Sequence, residues 1–181
     1  MEPIAADLEL FSDALTVDER LPALFLRGEA GDATPDDLAD AAESLLRTLG
    51  HLEDASGDDG EFSSDPAVQR LEAKLNLVLR IVADLARRER LPWTEIRWSR
   101  RGVSLVQPDP IAAGSIGRIK ISLGAQTPIP LELPVRVLSS EPATGGHRLR
   151  VKFDPVRPAL ETAIERHLFR LHRRALARRN R

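Results

Sequence analysis

Ile96-Arg97-Trp98-Ser99-Arg100-Arg101-Gly102-Val103-Ser104-Leu105 is two short strands and the turn between them. Ile96 and Trp98, then Val103 and Leu105, stand at alternate positions, the period at which side chains of a strand share one face. The polar tip Ser99-Arg100-Arg101-Gly102 separates them and closes with a residue free of a Cβ. Downstream the alternation recurs in Ile119/Ile121/Leu123, in Ile129/Leu131/Leu133/Val135/Val137 and in Leu149/Val151/Phe153. The intervening stretches are turn-formers: Gln107-Pro108-Asp109-Pro110, Gly124 to Pro128, and Thr144-Gly145-Gly146. Short strands at this spacing predict a small antiparallel barrel or sandwich, whose closure removes exposed edges. Pro130 and Pro134 cannot donate to a ladder, so their strand is expected at an edge or rim, with both prolines facing outward.

On the C-terminal side, Pro158 opens a helix with Leu160, Ile164, Leu168 and Leu171 on one face and the row Arg166, Arg170, Arg174, Arg178 on another. On the N-terminal side the period changes from two to a heptad. Val68, Leu71, Leu75, Val78, Val82 and Leu85 alternate spacings of three and four, with Leu79 and Ile81 at the flanking e and g positions. That apolar face is too wide for one partner helix. Each large side chain buried is worth roughly 1.5–3 kcal/mol, so the face is expected to be covered by assembly of several chains, a tetramer before a dimer. A preceding helix starts at Thr34-Pro35-Asp36-Asp37, where Thr34 can cap a free N–H and the acids meet the positive end of the dipole. It carries Leu38, Ala42, Leu45, Leu49 and Leu52; residues 53–66 read as a loop, and Asp65-Pro66 as the next start. Residues 1–34, with scattered apolar positions broken by Pro22, Gly28 and Gly31, read as a docking arm. The expected organisation is an arm at 1–34, an oligomerising helical hairpin at 35–91, and a barrel with its C-terminal helix at 92–181, an α+β chain.

The composition excludes much else. At 181 residues, 42% hydrophobic and 30% charged, the chain has the balance of a soluble globular protein. No apolar run is long enough for a membrane span and the N-terminus lacks the order of a signal peptide, so the expected compartment is the cytoplasm. Zero cysteines rule out disulfides, thiolate metal sites and a cysteine nucleophile. The net charge of -2 hides a division: residues 1–66 hold 18 acids and 3 bases, residues 67–181 hold 10 acids and 23 bases. Two halves so charged attract each other within or between chains. The arginine row is accordingly expected to face acids such as Asp36, Asp37, Asp40 or Glu43 rather than nucleic acid.

No catalytic spacing is present. His51, His147, His167 and His172 are scattered, and no P-loop, dinucleotide fingerprint, nucleophile elbow or HExxH motif occurs. The expectation is a protein without enzymatic activity, metal or cofactor. The tip with Arg97, Ser99, Arg100, Arg101 and Gly102 admits two readings: a phosphate site built from guanidinium forks beside a glycine, or a solvated hairpin whose glycine supplies a positive φ.

Ser99-x-x-Gly102 on a strand turn, the Gly114 turn before a strand, and a closing Leu149-x-Val151-x-Phe153 strand leading through Pro158 into a helix resemble the PilZ domain. The resemblance covers residues 92–181. It implies a six-stranded barrel with a C-terminal helix, in a bacterial family that typically binds cyclic di-GMP. The long heptad helix entering through Leu91-Pro92-Trp93 resembles an atypical subgroup whose extra helices assemble the barrels into tetramers. Two departures bear on the ligand. The family's Arg-x-x-x-Arg before the first strand has no match here, since Leu91, Pro92 and Thr94 stand four beyond Arg87, Arg88 and Arg90. Arg97 occupies the acidic or amide position of the Ser-x-x-Gly motif. The chain is therefore expected to be a signalling adaptor acting through an unidentified protein partner, without cyclic di-GMP binding in the usual mode. The alternatives are a cyclic di-GMP receptor using Arg97, Arg100 and Arg101, and a nucleic-acid-binding module.

Overall fold

The structure, a computed structural model, describes residues 3–28, 34–57, 74, 75, 78, 91–123 and 129–179. Its elements are α1 (Pro3–Phe11), β1 (Val17–Arg27), α2 (Pro35–Gly57), β2 (Trp93–Trp98), β3 (Gly102–Gln107), β4 (Ile116–Ile121), β5 (Leu131–Ala143), β6 (Gly146–Phe153) and α3 (Pro158–Arg179). The six strands are antiparallel and close into a barrel in the order β1-β2-β3-β6-β5-β4. Five of them fall on the alternating runs of the sequence.

The sixth corrects the expected domain boundary. β1 comes from residues that read as an arm, so the barrel is not confined to 92–181. It bridges the ring: Val17 to Pro22 pair with β2, and Ala23 to Arg27 pair with β4. Pro22 sits at the hand-over, where its carbonyl accepts from Ser122 N–H and Ala23 N–H donates to Pro92. Glu19 on the face shared by Val17, Ala23 and Phe25, and half-buried Leu24 and Leu26 on the opposite face, blur the alternation in the sequence.

The strand of Pro134 is not an edge: β5 is paired on both sides, and Pro134 stands opposite Arg118 of β4, one residue beyond the β5–β6 ladder, which begins at Val135↔Phe153. Pro134 lies on the face opposite Leu133 and Val135 but is buried there, and its carbonyl accepts from Asp154 N–H. The barrel interior is filled by Phe25, Ile96, Trp98, Leu105, Ile119, Leu133, Val151 and Phe153, continuous with Leu160, Ile164 and Leu168 of α3 and with Ala39, Ala42 and Leu46 of α2.

The start of α2 forms as its residues dictate. Thr34 Oγ1 accepts from Asp37 N–H at 3.2 Å, while Asp37 Oδ2 accepts from Thr34 N–H at 2.9 Å and from its hydroxyl at 2.7 Å. The Thr34 side chain, then its N–H, hold the Asp37 carboxyl below its ordinary value. The buried stripe of α2 is Ala39, Ala42, Leu46 and Leu49, with Leu38 and Leu45 at its margin. The helix runs to Gly57, into residues expected to be loop. Two of the acids expected opposite the arginine row, Asp36 and Asp40, are claimed from another quarter. Arg157, just before α3, binds Asp40 at 2.6 Å and Asp36 at 3.1 Å. Arg166 and Arg170 instead line a groove between α2 and α3 with Glu43, Arg47 and His51.

Under α3, Trp98 is fully buried with the His167 ring edge-on at 5.5 Å. Burial pushes the Glu19 carboxyl above its ordinary value, opposed by the Trp98 N–H and by Arg174. A carboxyl raised in this way holds its proton better folded than unfolded. Its contribution to stability is therefore complete below about pH 4.5 and is lost as pH rises through the folded value. Glu19→Gln removes that loss: its melting temperature at pH 7 is expected to exceed the parent's, the two converging in acid. A lower value at pH 7 would mean that the Trp98 and Arg174 interactions outweigh burial.

Candidate binding face

The turn singled out by the sequence, residues 99–102, is tied at both ends. Ser99 N–H donates to Gly102 O at 3.0 Å, and Arg101 N–H donates to Ser99 Oγ at 3.0 Å. The Ser99 hydroxyl, fully buried, donates to Leu10 O at 2.6 Å, at the end of α1. Arg101 Nη1 donates to Glu9 O at 3.2 Å and Ser12 O at 3.1 Å, a cation placed on the carbonyls that carry the negative end of the helix dipole. Arg97 lies over the Phe11 ring at 4.9 Å, with Asp18 at 3.9 Å. Four of the five candidate residues thus converge on α1 and the chain just after it. Arg100 turns the other way, toward Glu161 at 3.4 Å and Glu165 at 3.7 Å on α3.

Gly102 is required by space, not by a positive φ. Among the described glycines, positive φ belongs to Gly28, Gly114, Gly145 and Gly146. A Cβ on Gly102 would run into the Val151 carbonyl oxygen and stand 2.7 Å from Leu10 Cδ2 and 3.0 Å from Lys152 Cα. The glycine lets β3 and α1 approach β6 closely.

The other half of this face is barely marked in the sequence. Alternation on β6 sends Arg150 and Lys152 to the side opposite Leu149, Val151 and Phe153, where α1 lies. Arg150 holds Asp7 through Nε at 2.6 Å and Nη2 at 2.9 Å, a bidentate fork, and Glu141 through Nη1 at 2.7 Å. Burial works against its charge, but the hydrogen bonds it donates to Asp7 and Glu141 prevail and raise its pKa further. Lys152 Nζ meets Glu9 Oε1 at 2.8 Å. Ala6 and Leu10 pack with Leu138 in an apolar patch separate from the main core, against which Phe11 also packs. The spacing of Ala6 and Leu10 by four was the only local signal.

Of the residues expected to drive assembly, Leu75 and Val78 are helical and exposed at 56% and 54%. Val68, Leu71, Leu79, Val82 and Leu85 lie outside the described residues, as does the second helix start at Asp65-Pro66. Among the described residues no group of three or more histidines and acids could hold a metal, and no helix is long and apolar enough to cross a membrane.

A closed six-stranded barrel with a Ser-x-x-Gly turn and a helix after its last strand defines a PilZ-type module, and the comparisons agree. The profile described as "Atypical PilZ domain, cyclic di-GMP receptor" matches residues 46–181. The chain belongs to the atypical PilZ domain family. A crystal structure of a pathogenic protein from Xanthomonas campestris, described as a new tetrameric PilZ domain self-assembled via an unusual helical bundle, is 38% identical over 97% of each chain, with a TM-score of 0.82. No curated protein matches the chain significantly.

Proposed function

We propose that this chain is a non-enzymatic PilZ signalling adaptor of the bacterial cytoplasm, which assembles as a homotetramer through its heptad helix and acts through protein contacts. In its resting state it does not take cyclic di-GMP in the family's usual mode. The observation that carries this reading is the occupancy of the motif: Ser99, Arg101 and Gly102 are engaged with α1. Arg97 at the position of an acid or amide, and the missing upstream arginine pair, support it. The similar Xanthomonas protein, tetrameric through a helical bundle, supports the assembly. The degenerate motif then leaves a scaffold whose outputs are its surfaces.

Isothermal titration of cyclic di-GMP into the full-length chain is expected to give no saturable heat. Saturable binding would overturn the adaptor reading in favour of the second one, a genuine receptor. That second reading draws on the family's description as a cyclic di-GMP receptor and on the arginines at 97, 100 and 101. It predicts that Arg101→Ala abolishes the heat.

A further inference from the structure

We infer that α1 is an internal stand-in for an anion, covering a cationic face that takes a phosphate-bearing ligand when α1 lifts away. The inference rests on the reading that the resting chain does not bind the dinucleotide, and adds what holds it off. Arg97, Arg101, Arg150 and Lys152 come from β2, the turn after it and β6, and all four meet α1 or the residues just beyond it. The helix offers the last three only oxygen: the carboxylates of Asp7 and Glu9 and the main-chain carbonyls of Glu9 and Ser12. Two guanidinium groups and an ammonium aimed at oxygen make a donor set that also fits phosphate.

Lifting α1 with the residues just beyond it leaves Arg150 with Glu141 and Arg97 with Asp18, and takes from Arg101 the carbonyls of Glu9 and Ser12 and from Lys152 the Glu9 carboxylate. Four cations would then face two carboxylates. The cover is weakly attached. A nine-residue helix is too short to persist alone. Its apolar hold is Ala6 and Leu10 on Leu138, with Phe11 beside them, while Ile4 and Leu8 remain 74% and 60% exposed.

The test uses full-length Leu10→Asp, which puts a carboxylate into the buried contact with Leu138 and adds no cation. The probes are cyclic di-GMP and inorganic pyrophosphate, titrated calorimetrically at low salt. At least one is expected to bind tenfold or more tighter than to the parent, and the gain is expected to disappear in Leu10→Asp/Arg101→Ala. Binding of pyrophosphate, alone or with the dinucleotide, identifies a plain phosphate site; cyclic di-GMP alone identifies a dinucleotide site. No gain in a folded variant, or a gain that survives Arg101→Ala, overturns the inference. If Leu10→Asp does not fold, Asp7→Asn/Glu9→Gln, which removes both carboxylates and keeps the apolar contact, is judged by the same outcomes. Because the criterion is variant against parent, a parent that binds cyclic di-GMP defeats the adaptor reading without deciding this one.

Discussion

Leu75→Glu is expected to reduce the mass of the assembly in light scattering from four chains of 20.0 kDa to a single chain, with the barrel intact. Leu75 and Val78 are three apart on a helix, hence on one face, and each leaves more than half of its surface uncovered in the isolated chain. They occupy consecutive positions of the Val68, Leu71, Leu75, Val78, Val82, Leu85 seam. A carboxylate buried there without a partner costs several kcal/mol per chain, about what holds one contact of such an interface together. Circular dichroism and tryptophan fluorescence should stay close to the parent's, since Leu75 and Val78 take no part in the core around Trp98. An unchanged mass would remove the heptad seam from the interface.

Gly102→Val is expected to lower the stability of the barrel by about 3 kcal/mol or more and to loosen α1. Gly102 opposes Lys152 in the β3–β6 ladder, next to Val103↔Val151, and its carbonyl closes the turn by accepting from Ser99 N–H. The added Cβ meets main-chain atoms of β6, which cannot swing aside as a side-chain tip can. Relief must come from moving β3 away from β6, with Leu10 displaced as well, and both break contacts described above. Denaturant titration followed by fluorescence reads the loss. A change below about 1 kcal/mol would show that the strands give way easily and that the glycine is not needed for space.

Much of this fold is legible in the chain because strand alternation is a local pattern, and five strands obey it cleanly. β1 does not, since Glu19 faces inward, Leu24 and Leu26 face outward, and Pro22 interrupts the run at a point where the strand changes partners. The charge division of the sequence was a sound guide to attraction between the halves: Asp7 with Arg150, Glu9 with Lys152, and Asp36 and Asp40 with Arg157 all join an acid of the first 66 residues to a base of the remainder. It could not say which base takes which acid, and Arg157 rather than the later arginine row took the acids at the start of α2. The binding face was half legible. Ser99 and Gly102 advertise themselves by spacing, whereas Asp7 and Glu9 look like ordinary surface acids until the fold brings them to Arg150 and Lys152.

The hand-over in β1 also bears on the order in which the molecule assembles. The β4–β5 and β5–β6 ladders join neighbours in the chain, as does β2–β3, so each can form after closing a small loop. β1 has no such neighbour: Leu21 must find Thr94, and Phe25 must find Ile119, across the whole helical excursion or beyond it. With closure entropy rising by about 0.6 kcal/mol per doubling of loop length, sealing the ring through β1 costs roughly 3 kcal/mol more than closing a hairpin. Ladders of this kind are expected late in folding. The helix covering the Ser99–Gly102 turn is attached directly to that strand, so the face it covers is open throughout the earlier steps and is shut only when the ring is.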